Sequence, residues 1–292
     1  MPELPEVETV RSDLAEVLPG DSIVSIDVLL PKMLRIPLGD DLHQQVVGQQ
    51  IRNVRRRAKL IILELDNDRY LIMHLKMTGQ LFWQGADEHQ LIAGGHTLSK
   101  DELPSGHPNK YTHVIFHLKS GAVLLFNDMR QFGYVELADD DRIRQIDNTY
   151  GPEPLTADFT WEAFYGAISR RPRSVLKAAL LDQKVLAGLG NIYVDEACFR
   201  AGIRPQTRVG DISRRRLKEL WRVIPMLLDE AVQLRGTTFN SYRDGRGRRG
   251  SFVSKLAVYG RADEPCLKCG TQIEKTRVAG RGTHFCPRCQ PK

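Results

Sequence analysis

Four cysteines near the C-terminal end constrain this chain more than any other feature. Cys266 and Cys269 form one C-x2-C pair and Cys286 and Cys289 a second, with sixteen residues between them. Each pair can grip one metal ion from a tight turn, and the spacer is long enough for a hairpin, so the spacing describes a structural zinc site with four thiolate ligands. Two disulfides or an iron–sulfur cluster are the alternatives, but disulfides suit secreted chains and clusters usually show other spacings. The stretch TQIEKTRVAGRGTHF between the pairs alternates around a glycine-flanked Arg281, the pattern of two short strands and a tip. Arg281 would project from a metal-pinned hairpin, a placement suited to entering a nucleic-acid groove. Cys198 stands apart in the helix-like DEACFRAG and reads as a small core residue.

The charge points to the same end of the chain. Net charge is +6, yet residues 246–292 hold eleven Lys and Arg against three acids, leaving thirty-one against thirty-three in the rest. The bias suggests a polyanionic partner, with a solvated basic tail as the alternative. No apolar run approaches the ~20 residues needed to cross a bilayer, and LIILEL at 60–65 already carries an acid. The first residues lack the basic and apolar regions of a secretory signal, so the expectation is a cytoplasmic protein without a membrane partner.

With 292 residues, two domains are the natural arrangement. Residues 7–18 have apolar positions at helical spacing, and the segments SIVSIDVLL, KLIILEL, YLIMHLK, HVIFHLK, AVLLF and YVEL have strand character. Residues 1–137 therefore read as a β-rich domain with one leading helix. The polar, proline-marked 138–155 reads as a linker, 156–245 as a helical domain, and 246–292 as a basic segment with the zinc hairpin. Pro225 is expected to kink or split the long helix in DISRRRLKELWRVIPMLLDEAVQL. In AGLGNIYVDEA a glycine-rich turn enters a helix at Asn191, an arrangement that suits a phosphate.

The N-terminal MPELPEVE gathers Glu3, Glu6 and Glu8 at a helix start, where the dipole favours acids. Loss of Met1, which the small Pro2 permits, would leave a secondary amine beside a carboxylate. An α-amino group titrates near pH 8, so a useful fraction is unprotonated and nucleophilic at neutrality.

Taken together, MPELPEVETV, RRAKL at 56–60, HLKMTGQL at 74–81, DMRQFG at 128–133, GPEPL at 151–155, AGLGNIYVDEA at 187–197 and GRGTHFCPRCQ at the end resemble the bacterial formamidopyrimidine-DNA glycosylases. The resemblance spans the whole chain. It implies an α+β, two-domain protein with an N-terminal β-sandwich flanked by helices, a C-terminal helix–two-turn–helix domain and a four-cysteine zinc-finger hairpin holding one structural zinc ion. It also implies a bifunctional glycosylase and abasic-site lyase of base excision repair that removes 8-oxoguanine and formamidopyrimidines from double-stranded DNA. A clamp around one duplex needs only a monomer.

By the same resemblance Pro2 is the nucleophile, Glu3 supplies a proton to the sugar ring oxygen, Glu6 positions groups around the amine, and Lys59 reaches the active site. Met77, Arg130 and Phe132 fill the hole left by an everted nucleotide. Asn191 and Tyr193 form a phosphate-binding turn, with Lys177 and Arg281 as further DNA contacts and His74 near the backbone path. Residues 236–252 correspond to a loop that closes over the base. The chain departs from the usual pattern at Leu60, where tyrosine is common, and at Met129 and Gln131, where proline and arginine are. A related group that prefers oxidised pyrimidines begins PEGPE, and Leu4 argues against it. A DNA-binding module without catalysis is the alternative from another class.

Overall fold

Helix α1 (Leu4–Ala15) opens the chain and owes its start to its own acids. Glu3 is extended at the N-cap, its backbone N–H donates to Glu6 Oε2 at 2.9 Å, and its side chain receives the Glu6 backbone amide in return, a reciprocal capping box. Pro5 fits the first turn, where a missing N–H costs nothing. The helix lays Val7, Val10 and Leu14 into the core.

The computed structural model describes residues 1–37, 39, 41–87, 91–96, 108–237, 242–243 and 250–292. It divides into two compact units, residues 1–147 with 234–251, and residues 148–233 with 252–292. In the first unit α1 is followed by β1 (Ile23–Val28), β2 (Leu34–Arg35), the short α2 (Leu42–Val46), β3 (Ile51–Arg57), β4 (Leu60–Leu65), β5 (Tyr70–His74), β6 (Gly79–Gln84), β7 (Leu91–His96), β8 (Thr112–Leu118), β9 (Val123–Asp128), β10 (Tyr134–Ala138) and α3 (Asp140–Thr149). A two-residue strand, β11 (Tyr242–Arg243), adds to the edge of β7. The segment read as a linker thus contains α3, which buries Ile143 and Ile146.

The strands form two open sheets, ordered β1-β8-β9-β6-β7-β11 and β2-β10-β5-β4-β3. Their facing sides share one core. Ile61, Leu63, Leu71 and Met73 come from the five-stranded sheet and Leu81, Phe116, Leu124 and Phe126 from the six-stranded one. Alternate residues along each strand supply that face, as the two-residue period of a strand requires. Each such side chain contributes about 1.5–3 kcal/mol by leaving water.

In the second unit α4 (Trp161–Ile168) starts at Thr160, whose hydroxyl accepts from the Ala163 amide. It is followed by α5 (Leu176–Leu181), α6 (Asn191–Arg200) and α7 (Arg214–Gln233). Leu217, Leu220, Ile224, Leu227, Leu228 and Ala231 make the buried stripe of α7. This helix runs unbroken through Pro225, so the expected split does not occur. Burial of residues on both sides of the proline outweighs the one lost backbone hydrogen bond.

A hairpin of β12 (Glu274–Val278) and β13 (Arg281–Phe285) completes the unit. Its two-residue turn at Ala279 and Gly280 has φ of +50° and +73°, the double left-handed geometry that matches the twist of paired strands.

Candidate active site and nucleic-acid interface

Strand register brings the sequence-predicted residues of the first unit to one end of the five-stranded sheet. Leu60 pairs with His74, and His74 with Tyr134, so the turn carrying Lys59, the end of β5 and the start of β10 lie side by side. The β3–β4 turn is tight, with Ala58 at φ +53°, and Lys59 behind it is buried. Leu60 is buried too and serves as core at this position.

The chain's first residues meet this end. The α-amino group of Met1 is held below its ordinary value, first by burial; Glu3 and Glu6 oppose that, and the positive charges of Lys59 and Arg130 add to it. Glu3 and Glu6 are both buried. Glu6 does more than cap α1: its Oε1 accepts the Thr237 amide at 2.8 Å while Oε2 holds the Glu3 amide. Gly236 is left-handed at φ +81°, and a Cβ there would stand 2.8 Å from Glu6 Oε1, so the close approach needs glycine. Beside it Arg235 donates to both carboxylate oxygens of the buried Asp13. Neither link is visible locally in the sequence, because the partners lie more than two hundred residues apart. Glu8 is partly buried and ion-paired with Arg56 at 2.7 Å.

His74 is neutral, its pKa pushed down to about 3 mainly by burial, with Lys76, Lys59 and Arg35 adding repulsion. Its Nδ1 accepts the Lys76 amide at 2.9 Å, which fixes the ring, and Tyr134 packs against it with centroids 5.6 Å apart. The Arg35 guanidinium lies 3.4 Å from the centre of the Tyr134 ring. Met77 and Phe132 are 42% and 53% exposed, and Met129 is exposed beside them. The Arg130 guanidinium bridges them, with Nη1 3.1 Å from Met77 Sδ and Cζ 4.8 Å from the Phe132 ring centre. Large apolar side chains held exposed in a group mark a contact surface.

In the second unit Gln183 braces the glycine turn before α6: its Oε1 accepts the Gly188 amide and its Nε2 donates to the Leu181 and Leu189 carbonyls. Asn191 begins the helix at the positive end of its dipole, and its Nδ2 donates to the Gly282 carbonyl at 3.1 Å. Arg281 is exposed at the hairpin tip.

Lys177 and Tyr193 are the two expected DNA contacts that the structure does not expose. Both are fully buried. The Lys177 ammonium donates to Asp195 Oδ1 at 2.7 Å and to the Gly282 carbonyl at 2.9 Å, and Tyr193 packs on Phe252. A buried ammonium needs a carboxylate and further acceptors, and Asp195 with Gly282 supplies them. Lys177 thereby ties α6 to the hairpin that carries Arg281.

The four cysteine Sγ atoms lie within 4.8 Å of one another, with 3.9 Å between Cys266 and Cys289 and 3.5 Å between Cys269 and Cys286. A disulfide would need about 2.05 Å. Thiolates around zinc at about 2.3 Å stand roughly 3.8 Å apart in a tetrahedron, so the cluster fits a tetrahedrally bound metal ion. Cys198 is buried, and its thiol is pushed up in pKa by burial, as suits a core residue.

An open β-sandwich with a capped N-terminus, a helical unit with a phosphate-suited turn and a four-cysteine hairpin define a class of DNA repair enzymes. Residues 1–135 match the formamidopyrimidine-DNA glycosylase N-terminal domain, 150–243 its H2TH domain, and 263–292 a zinc finger found in FPG and IleRS. The formamidopyrimidine-DNA glycosylase of Listeria monocytogenes serovar 1/2a is 40% identical over 99% of this chain and 100% of its own length, and that of Herpetosiphon aurantiacus is equally similar over the same shares. Among solved structures, Lactococcus lactis Fpg bound to abasic-site DNA superposes with a TM-score of 0.84 at 34% identity, covering 99% of this chain and all of that one. A complex of the same protein with Fapy-dG DNA gives 0.84 at 33% identity. The chain belongs to the formamidopyrimidine-DNA glycosylase family.

Proposed function

We propose that this chain excises 8-oxoguanine and formamidopyrimidines from double-stranded DNA and then cuts the strand, with Pro2 as nucleophile after removal of Met1. The observation that carries this reading is the convergence of the amino terminus, Glu3, Glu6 and Lys59 at one end of the first unit. The Pro2 nitrogen lone pair attacks C1′ of the damaged nucleotide, the C1′–N bond breaks with its electrons leaving on the base, and the attacking nitrogen gives up its N–H proton while the base takes one up. Glu3 donates a proton to the ring oxygen as the sugar opens, leaving a cationic iminium between Pro2 and C1′. That cation draws electrons from C2′, so loss of a C2′ proton expels the 3′ phosphate. Loss of a C4′ proton then expels the 5′ phosphate, and water releases Pro2. Glu6 keeps the amine and the 236–237 segment in place. Lys59 adds positive charge beside the amine, favouring its neutral form, and meets a phosphate beside the lesion.

Met77, Arg130 and Phe132 enter the duplex, Arg130 facing the orphaned base and the apolar pair restoring stacking, which offsets an unstacking cost of a few kcal/mol. Asn191 and Arg281 contact phosphates, with Lys177 and Tyr193 supporting them from within, and His74 lies near the backbone path. The four cysteines hold one zinc ion, which organises the hairpin and takes no part in bond breaking. The loop 236–252 is assigned to closure over the base; residues 238–241 and 244–249 of it lie outside the described residues.

The test compares strand cleavage of duplexes holding one 8-oxoguanine opposite cytosine or one dihydrothymine opposite adenine. Preferential cleavage of the first supports the reading. Preferential cleavage of the second would transfer the chain to the pyrimidine-specific relatives, and binding without cleavage of either would favour the non-catalytic module.

A further inference from the structure

The buried Asp128 carboxylate ties two loops together. Asp128 is the last residue of β9 and pairs with Gly79, the first of β6, so it stands where the 75–78 connection and the 129–133 connection leave the sheets. Its side chain is fully buried. Oδ1 accepts the Thr78 hydroxyl and the Arg130 amide at 3.1 Å; Oδ2 accepts the Phe132 amide at 2.9 Å and the Gly133 amide at 2.6 Å. The Thr78 oxygen in turn accepts from the Arg130 amide at 3.0 Å. One carboxylate thus takes four donors, three from the loop that carries Arg130 and Phe132 and one from the residue next to Met77.

Both loops need such a clamp. Lys76 and Gln131 have φ of +49° and +56°, left-handed conformations that cost a non-glycine residue energy and persist only where surroundings impose them. Gly79 and Gly133 cannot carry a side chain: a Cβ on the first would lie 2.4 Å from the Leu75 oxygen, and on the second 2.9 Å from the His74 oxygen and 3.0 Å from Asp128 Oδ2. Met77, Arg130 and Phe132 lean on each other in solvent, so the buried knot beneath them is what fixes the loops that bear them.

We infer that Asp128, acting through Thr78, is a positioning residue that sets Met77, Arg130 and Phe132 in one rigid arrangement before DNA arrives, so that ordering them at the moment of base eversion costs little. This rests on the proposed function, since it needs those side chains to enter the duplex. The departures at Met129 and Gln131 leave the clamp untouched because what it takes from their loop is the backbone amides of Arg130, Phe132 and Gly133.

The test uses Thr78→Val, which removes the hydroxyl link, Thr78→Ser, which keeps it, and Asp128→Asn, which turns a donor amide toward two donor amides. Two rates are measured for each variant that melts as a folded protein: excision of 8-oxoguanine from a duplex, and borohydride trapping on a single-stranded abasic oligonucleotide, where no opposite strand leaves a hole. The expected result is a loss of about 10- to 100-fold in duplex excision for T78V and D128N, as small misplacements of positioning groups produce, with trapping within about twofold of wild type and T78S restored. Equal losses in both rates would mean a general structural defect and overturn the inference, as would no loss in either. A wild-type protein that neither excises nor traps would defeat the proposed function itself, a separate outcome.

Discussion

At the scale of residues, single buried charges hold distant parts of the chain together, and their removal has calculable consequences. Glu6 satisfies the amides of Glu3 and Thr237 with one carboxylate. Glu6→Gln can present only one acceptor oxygen and leaves a buried donor facing a donor, which should cost about 1–3 kcal/mol in urea unfolding of the first unit and slow trapping as the amine loses its setting. Lys177→Ala should cost more, about 3–5 kcal/mol in the second unit, because it strands the buried Asp195 carboxylate. His74 gives a pH signature. Its folded pKa, near 3, lies below that of an unfolded histidine, so the group costs nothing above about pH 6.5 and progressively lowers stability as pH falls toward 3, by up to about 1.4 kcal/mol per unit. His74→Asn, which keeps an acceptor for the Lys76 amide, should flatten the fall in unfolding free energy between about pH 6.5 and 4. An unchanged slope would mean His74 is not held neutral.

At the scale of elements, what the sequence made legible depended on whether an element's signal was local. β4, β5, β8, β9 and β10 are apolar runs bounded by turns and read directly. So did the four-cysteine hairpin, since cysteine spacing and the alternation between the pairs are short-range signals. β3 is IRNVRRR, an edge strand whose outward residues are basic, and β6 is GQLFWQ, whose period is blurred by near-complete burial. Neither has the alternation a strand search relies on. The burial of Lys177, which the resemblance gave as a DNA contact, could not be read from the sequence, because its partner Asp195 lies eighteen residues on. The hairpin carries its own prediction. Cys286→Ser should lose the bound metal, detach the Gly282 carbonyl from Asn191 and Lys177, and weaken DNA binding while leaving the first unit folded, as chemical-shift or proteolysis mapping would report. Lesion-DNA binding at wild-type strength with no metal bound would contradict the site's structural role.

At the scale of the whole molecule, the chain crosses between its two units three times, and residues 234–251 return to the first unit through Arg235–Asp13 and Thr237–Glu6. No local signal marks that return. It hangs the start of the segment assigned to loop closure on Glu6, the carboxylate that also holds the Glu3 amide at the head of the N-terminal helix. The basic excess after residue 246 and Arg281 on the hairpin make binding an electrostatic matter, and affinity for a lesion duplex should fall steeply as salt rises from about 50 to 200 mM, with Arg281→Ala lowering the slope. The central claim, that the amine of Pro2 attacks the sugar, is tested most directly by borohydride. The protein is incubated with a duplex bearing 8-oxoguanine opposite cytosine, reduced, and the attachment site mapped by peptide mass spectrometry. A covalent adduct at Pro2, in protein lacking Met1, is the expected result; excision without any adduct, or an adduct at Lys59, would contradict the claim.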